Sequence, residues 1–219
     1  MLCPTCAGSN WPHTRAHSLT RSLRSLADPV RFTTRSSGYA SSLAPLAGDW
    51  VQDTASATTK WGDIGDWDTN GVKDFSYAFS INRNQAGGSF VSNGNPKAVT
   101  FVGTAISKWI TTSVTSLAHT FREASEMNVD LTGWKVGKVT SLEDMFNSAS
   151  KFPGTGLDSW DVAKVTTMFE TFFDNGLSSC NKRKIADAWK SSAVFVATTY
   201  DTDWTADTCT VRFEYRATR

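Results

Sequence analysis

The sequence predicts an α/β solenoid, in which short extended segments and short helices alternate along a stack of coils and a helical cap closes the C-terminal end. One observation is a repeat of about 25 residues anchored on Trp109, Trp134 and Trp160. The other is the stretch LTGWKVGKVTSLEDMF at 131–146. Its first half alternates like an extended segment, and its second half has apolar residues three and four apart, as in a helix.

Five positions of the repeat hold in all four copies. Each tryptophan has Ile or Leu three residues before it, Val five residues after it, an apolar residue eight after it and Phe twelve after it. The tryptophans are Trp67, Trp109, Trp134 and Trp160, and the phenylalanines are Phe79, Phe121, Phe146 and Phe172. A fixed period in the twenties is typical of stacked units that cannot bury their apolar faces alone. We therefore expect the tryptophans to be buried in a continuous core rather than exposed for stacking on sugars.

The repeats divide the chain into four segments. Residues 1–46 are predicted to be a basic, Ser/Arg-rich leader or docking arm, and residues 47–63 an N-terminal cap. Residues 64–176 hold the four-coil repeat solenoid, with an insertion at 80–102 whose Gly, Asn and Pro content is typical of a loop. Residues 177–219 are the C-terminal cap.

Two cysteines flank this cap. Asn181 is predicted as the N-cap of a helix of about ten residues. A disulfide between Cys180 and Cys209 would close a loop of about 30 residues and stabilise the fold by about 3 to 4 kcal/mol. Two free thiols are the alternative, because a reducing compartment disfavours the bond.

The charge distribution separates the leader from the rest. The net charge is +1, yet residues 1–48 contain five arginines and the single acid Asp28, so the remainder is slightly acidic. An acidic body argues against nucleic-acid binding. The Arg-rich, acid-poor start predicts import into an organelle, a mitochondrion or plastid, and a disordered or docked arm is the alternative. With no run of 18 apolar residues, no transmembrane segment is predicted.

The repeats resemble a known family. LTGWKVGKVTSLEDMF and LDSWDVAKVTTMFETF are similar to the W-D-V-S-x-V-T-x-M-x-x-M-F units of the BspA-like leucine-rich repeat surface proteins, closely over 106–176 and more loosely over 61–80. The resemblance implies a right-handed, leucine-rich-repeat-like coil of short strands and helices, with a role in adhesion or protein contact. It implies no shared active site, so no catalytic residue is carried over.

Candidate metal and catalytic groups are few, and we predict no enzyme activity and no cofactor. A zinc site formed by Cys3, Cys6, His13 and His17 would have a central gap too short for a finger. The stretch 66–77 has acids spaced as in a calcium loop but lacks the carboxylate at the last position. His119 is interpreted as a structural histidine within a repeat helix.

A row of polar residues is the candidate interaction surface. Two positions between the Val and the next apolar residue of each unit should line a stripe across adjacent coils. Small polar side chains in a row suit contact with a protein, and they equally suit a solvated sheet. The stripe consists of Lys73, Asp74, Thr115, Ser116, Thr140, Ser141, Thr166 and Thr167.

These observations favour a non-catalytic repeat module that mediates protein–protein interaction. An accessory subunit of a larger organelle complex would explain the basic leader. The alternative is a surface adhesion or carbohydrate-binding protein, at the cell surface or secreted.

Overall fold

The computed structural model of the chain describes residues 42–84, 89–207 and 209. The repeat units lie between two N-terminal and three C-terminal α-helices. The α-helices are α1 (Ala44–Gln52), α2 (Thr54–Trp61), α3 (Ser179–Trp189), α4 (Ala193–Val196) and α5 (Thr199–Thr205). Short 3-10 helices are formed by Ile64–Asp66, Pro96–Thr100, Thr104–Lys108 and Leu157–Ser159. Units 1 to 4 are named here after Trp67, Trp109, Trp134 and Trp160, and a position such as +10 is counted from the tryptophan.

The prediction of an α/β solenoid, a leucine-rich-repeat-like coil of short strands and short helices, is wrong. The described part of the chain contains no strand and no sheet, and neighbouring units share only isolated parallel β-bridges. The segment predicted as the helical half of each unit, from the +8 residue to the Phe at +12, forms turns. The segment is not helical because its backbone N–H groups donate to the next unit rather than within the segment.

A repeated set of backbone hydrogen bonds joins each unit to the following one. The N–H groups at +8, +10, +12 and +14 donate to the carbonyls at +7, +9, +11 and +13 of the next unit. An α-helix would return the Phe121 N–H to the carbonyl of Leu117, but it donates to Met145 at 3.0 Å. Apolar residues three and four apart in this segment are therefore buried by turns, not by a helix.

Left-handed residues explain why the units do not form strands. The +10 residues Tyr77, His119, Asp144 and Glu170 all have positive φ, between 49° and 60°. An extended chain cannot continue through this conformation. Pairing is therefore limited to one bridge at +7, between Asp74 and Ser116, Ser116 and Ser141, and Ser141 and Thr167.

The tryptophans form a buried column that locks neighbouring units together. All four are at most 5% exposed, which confirms their predicted burial. Each indole N–H from unit 2 onward donates to the carbonyl of the apolar residue before the previous tryptophan. Trp109, Trp134 and Trp160 donate to Ile64, Ile106 and Leu131 at 2.8, 3.1 and 3.3 Å. A large apolar ring is thus buried with its polar atom satisfied.

The phenylalanines at +12 form a second column. Phe79, Phe121, Phe146 and Phe172 stack in sequence with ring centroids 5.5, 5.9 and 5.7 Å apart. The insertion at 80–102 contributes to this column and is therefore more than a loop. Its Phe101 is buried against the ring of Phe79 at 4.0 Å.

The N-terminal end of the stack is closed by α1 and by the insertion. The Leu43 N–H donates to the carbonyl of Asp74 in unit 1 at 3.0 Å. The buried Arg83 guanidinium donates to the carbonyls of Ala44 and Ala78, and burial lowers its pKa to about 10. Gly48 is required here, because a Cβ at that position would lie 2.0 Å from the guanidinium.

The C-terminal helices pack on unit 4. Trp189 of α3 donates its indole N–H to Leu157 at 3.0 Å and stacks on Trp160, so it takes the place of a fifth tryptophan. The N-cap of α3 is Ser178, whose side chain accepts the Asn181 N–H, and the prediction of Asn181 as the cap is wrong. A disulfide joins Cys180 to Cys209.

Several predictions lie outside the described residues. They concern the leader up to residue 41 with its Cys3, Cys6, His13 and His17, and the last ten residues of the C-terminal cap. No helix in the described part of the chain combines the length and apolar character that a membrane span requires.

Replacing Trp134 with Ala should lower the free energy of unfolding by about 3 to 5 kcal/mol, because a fully buried ring is lost and the Ile106 carbonyl keeps only one of its two donors, the Trp109 N–H. Urea unfolding followed by circular dichroism measures the change. Trp61→Ala is the matched control, since this tryptophan is only partly buried, and its loss should be smaller. A Trp134→Ala variant as stable as the wild type would contradict the locking role of the indole.

Candidate interaction site

The predicted polar stripe lies at the bridges between units. Asp74, Ser116, Ser141 and Thr167 form the isolated bridges themselves. The structure therefore brings the predicted residues into one row, as the repeat register requires. Whether another protein contacts this row stays a prediction.

Three of the four threonines of the stripe already have structural partners. The Thr115 hydroxyl donates to the carbonyl of Lys73, and Thr140 and Thr166 each donate to the carbonyl of the preceding threonine, at 3.0 to 3.1 Å. The backbone N–H of each of these three threonines donates to the same carbonyl. These hydroxyls hold adjacent units together, so the row offers a partner fewer free donors than its composition indicates.

A cluster of charged and aromatic side chains surrounds the left-handed residues at +10. The Tyr77 ring stacks on His119 with centroids 4.4 Å apart. His119 Nδ1 lies 3.3 Å from Asp144 Oδ2, and Arg122 Nη1 lies 3.2 Å from the same oxygen. Burial lowers the pKa of His119, and the Asp144 carboxylate acts in the opposite direction. The imidazole is therefore a partly buried group whose protonation opposes folding.

His119, Glu143 and Asp144 could in principle hold a metal ion, because each offers a ligand atom and these atoms lie within 4.8 Å of one another. The Asp144 carboxylate, however, already accepts from Arg122 at one oxygen and from Asn147 at the other. A cation would have to displace the guanidinium. The arrangement fits an ion-pair cluster between units better than a metal site.

In the stretch 66–77, two carboxylates accept backbone N–H groups of their own turns. The Asp68 carboxylate accepts the Asn70 N–H at 3.0 Å, and Asp74 accepts the Ser76 N–H at 2.9 Å. This local use accounts for the resemblance to a calcium loop.

A groove lies at the C-terminal end of the stack. It has a volume of about 650 Å³ and lies between unit 4 and residues 197–204, which include most of α5. Phe169 and Phe173 line it and are 63% and 57% exposed. Exposed aromatic side chains of this size in a groove are characteristic of interaction sites.

The two exposed phenylalanines break the repeat pattern. At +9, units 1 to 3 have Ser76, Ala118 and Glu143, and unit 4 has Phe169. At +13, the first three have Ser80, Arg122 and Asn147, and unit 4 has Phe173. The repeat alignment contains this signal, but sequence reasoning that compared only the shared core positions missed it.

Comparison with known protein families gives a match over part of the chain. Residues 96–189 match a family described as Mycoplasma protein of unknown function, DUF285. The matched segment contains units 2 to 4 and all of α3. Neither the search of curated proteins nor that of solved structures finds a match to the chain.

Lowering the pH from 7.5 to 5.0 should lower the free energy of unfolding, in part through His119. Its folded-state pKa lies below the ordinary value of 6.5, so the unfolded chain binds the proton more readily as the pH falls through that value. His119→Asn keeps a residue type that tolerates positive φ and should show a smaller loss between the two pH values. Equal losses in urea unfolding of both proteins would contradict this assignment.

Proposed function

We propose that the chain is a non-catalytic repeat module that binds another protein, as an accessory subunit of a larger organelle complex. The observation that carries the proposal is the groove of unit 4, where Phe169 and Phe173 are exposed at positions that are small or polar in every other unit. Burying two phenylalanine side chains on a partner would contribute several kcal/mol to association.

The family match and the resemblance to BspA-like surface proteins cover the same repeats, which supports a relationship between them. The match names no activity. The basic leader supports an organelle location. The polar stripe gives weaker support for a protein contact, because three of its threonine hydroxyls already bond to the neighbouring unit.

A second candidate, a surface adhesion or carbohydrate-binding protein, is favoured by one observation. Cys180 and Cys209 form a disulfide, and disulfides persist in oxidising environments such as the cell surface. Retention of the protein on a glycan array would support this candidate.

Size fractionation of native extract from the source cells tests the proposal. The wild-type protein should migrate with a species much larger than its own 23.9 kDa. The double variant Phe169→Ser, Phe173→Ser should shift toward the monomer position, because it removes the apolar contact without touching the core.

Phe90→Ser is the matched control, since Phe90 is 55% exposed but does not line the groove. It should leave migration unchanged. Urea unfolding should give all variants the stability of the wild type to within about 0.5 kcal/mol, as expected for exposed positions. Migration of the wild type as an isolated monomer would contradict the assembly role, and an unaffected double variant would contradict the role of the groove.

A further inference from the structure

Unit 4 presents an open row of backbone donors in the groove. In units 1 to 3, the N–H groups at +8, +10, +12 and +14 all donate to the next unit. In unit 4 the +12 donor, Phe172, reaches the Tyr200 hydroxyl of α5 at 3.3 Å. The other three donors, Met168, Glu170 and Asp174, have no acceptor among the residues that the structure describes. All three residues line the groove.

The opposite end of the stack is treated differently. There the carbonyls of unit 1 would be open, but the +7, +11 and +13 carbonyls accept from Leu43, Arg83 and Asn95. A second copy of the chain therefore cannot continue the stack by offering its own unit 1 carbonyls. The unused donors therefore need acceptors from outside the residues that the structure describes.

The donors alternate along the chain, which sets the shape of an occupant. In the interior of the stack, every acceptor segment offers carbonyls from alternate residues, at +7, +9, +11 and +13. Each acceptor segment in the stack reaches this arrangement through a positive φ at +10. A partner segment that follows the same bent path can thus accept from Met168, Glu170 and Asp174 while its side chains meet Phe169 and Phe173.

The charges at the groove set the composition of the occupant. Glu170, Asp174 and Asp203 line it with three carboxylates, against the single ammonium group of Lys182. An excess of negative charge favours a segment with Lys or Arg side chains.

We propose that the groove binds a Lys- or Arg-bearing segment of a partner protein, which pairs carbonyls of alternate residues with the open N–H groups of unit 4. This rests on the proposed function and names the chemistry of its partner. It is a form of peptide addition at an open backbone edge, in which the main chain supplies affinity and the flanking side chains supply specificity.

The test uses the full chain and two fluorescein-labelled heptapeptides of alternating valine with lysine or with glutamate. Fluorescence anisotropy at low salt should show saturable binding of the lysine peptide, at least tenfold tighter than that of the glutamate peptide, since screening is weakest there. Addition of the lysine peptide should slow amide hydrogen exchange at Glu170 and Asp174. The amides of Asp144 and Ser148, which are already bonded, should not change.

The matched pair of variants separates the groove from general surface charge. Asp174→Asn with Asp203→Asn should weaken lysine-peptide binding on the order of fivefold, as expected for two exposed charges. Asp158→Asn with Asp161→Asn removes two exposed charges of the same unit that do not line the groove and should leave binding unchanged.

Equal binding of both peptides would overturn the proposal, as would binding without protection of Glu170 and Asp174. Slow exchange of these two amides before peptide is added would mean that the chain or a second copy fills the groove, which also overturns it. If these tests fail while the Phe169 and Phe173 double variant still leaves its native complex, the proposed function stands and the chemistry of the occupant is wrong.

Discussion

The forward donation of backbone N–H groups from one unit to the next is the constraint on which the rest of the structure depends. Four such bonds cross each of the three interfaces between units. To aim alternate N–H groups at the neighbour, the chain adopts positive φ at +10 in every unit. The same turns direct the residues at +8 and +12 inward, so hydrogen bonding and core packing are satisfied by one geometry.

The first and last units each lack a neighbour on one side, and the two ends of the stack differ in how their unpaired backbone groups are satisfied. The N-terminal end uses a backbone N–H, a buried guanidinium and an amide side chain to satisfy open carbonyls. At the C-terminal end, Trp189 takes the place of the next tryptophan in the column and donates to Leu157. The Tyr200 hydroxyl accepts from the Phe172 N–H. Within the described part of the chain, this end leaves three backbone donors without an acceptor, next to two exposed phenylalanines. An incomplete end of this kind gives a repeat protein a candidate binding site without any change to its core.

The sequence predicted those parts of the core in which the same type of side chain recurs in every unit. The tryptophan and phenylalanine columns follow from their fixed spacing, because only buried positions demand the same residue in each unit. The backbone conformation was not predictable in this way. All four units have positive φ at +10. The residues there are Tyr77, His119, Asp144 and Glu170, and they have no side-chain property in common from which this backbone conformation could be predicted. Without it, the spacing of Leu142 and Phe146 was interpreted as a helix, which led to the wrong fold class.

The candidate site was hidden for a related reason. Phe169 and Phe173 stand out only when the non-core positions of the units are compared. Arg83 and Phe101 lie in an insertion that has no counterpart in the other units, so the repeat could not assign them to the core.

Through-hydrogen-bond scalar couplings measured by NMR test the central claim most directly. The account predicts a coupling between the amide nitrogen of Phe121 and the carbonyl carbon of Met145, and likewise between Phe146 and Thr171. A coupling from Phe121 to the carbonyl carbon of Leu117 instead would show that the segment is an α-helix closed on itself, and would contradict the account.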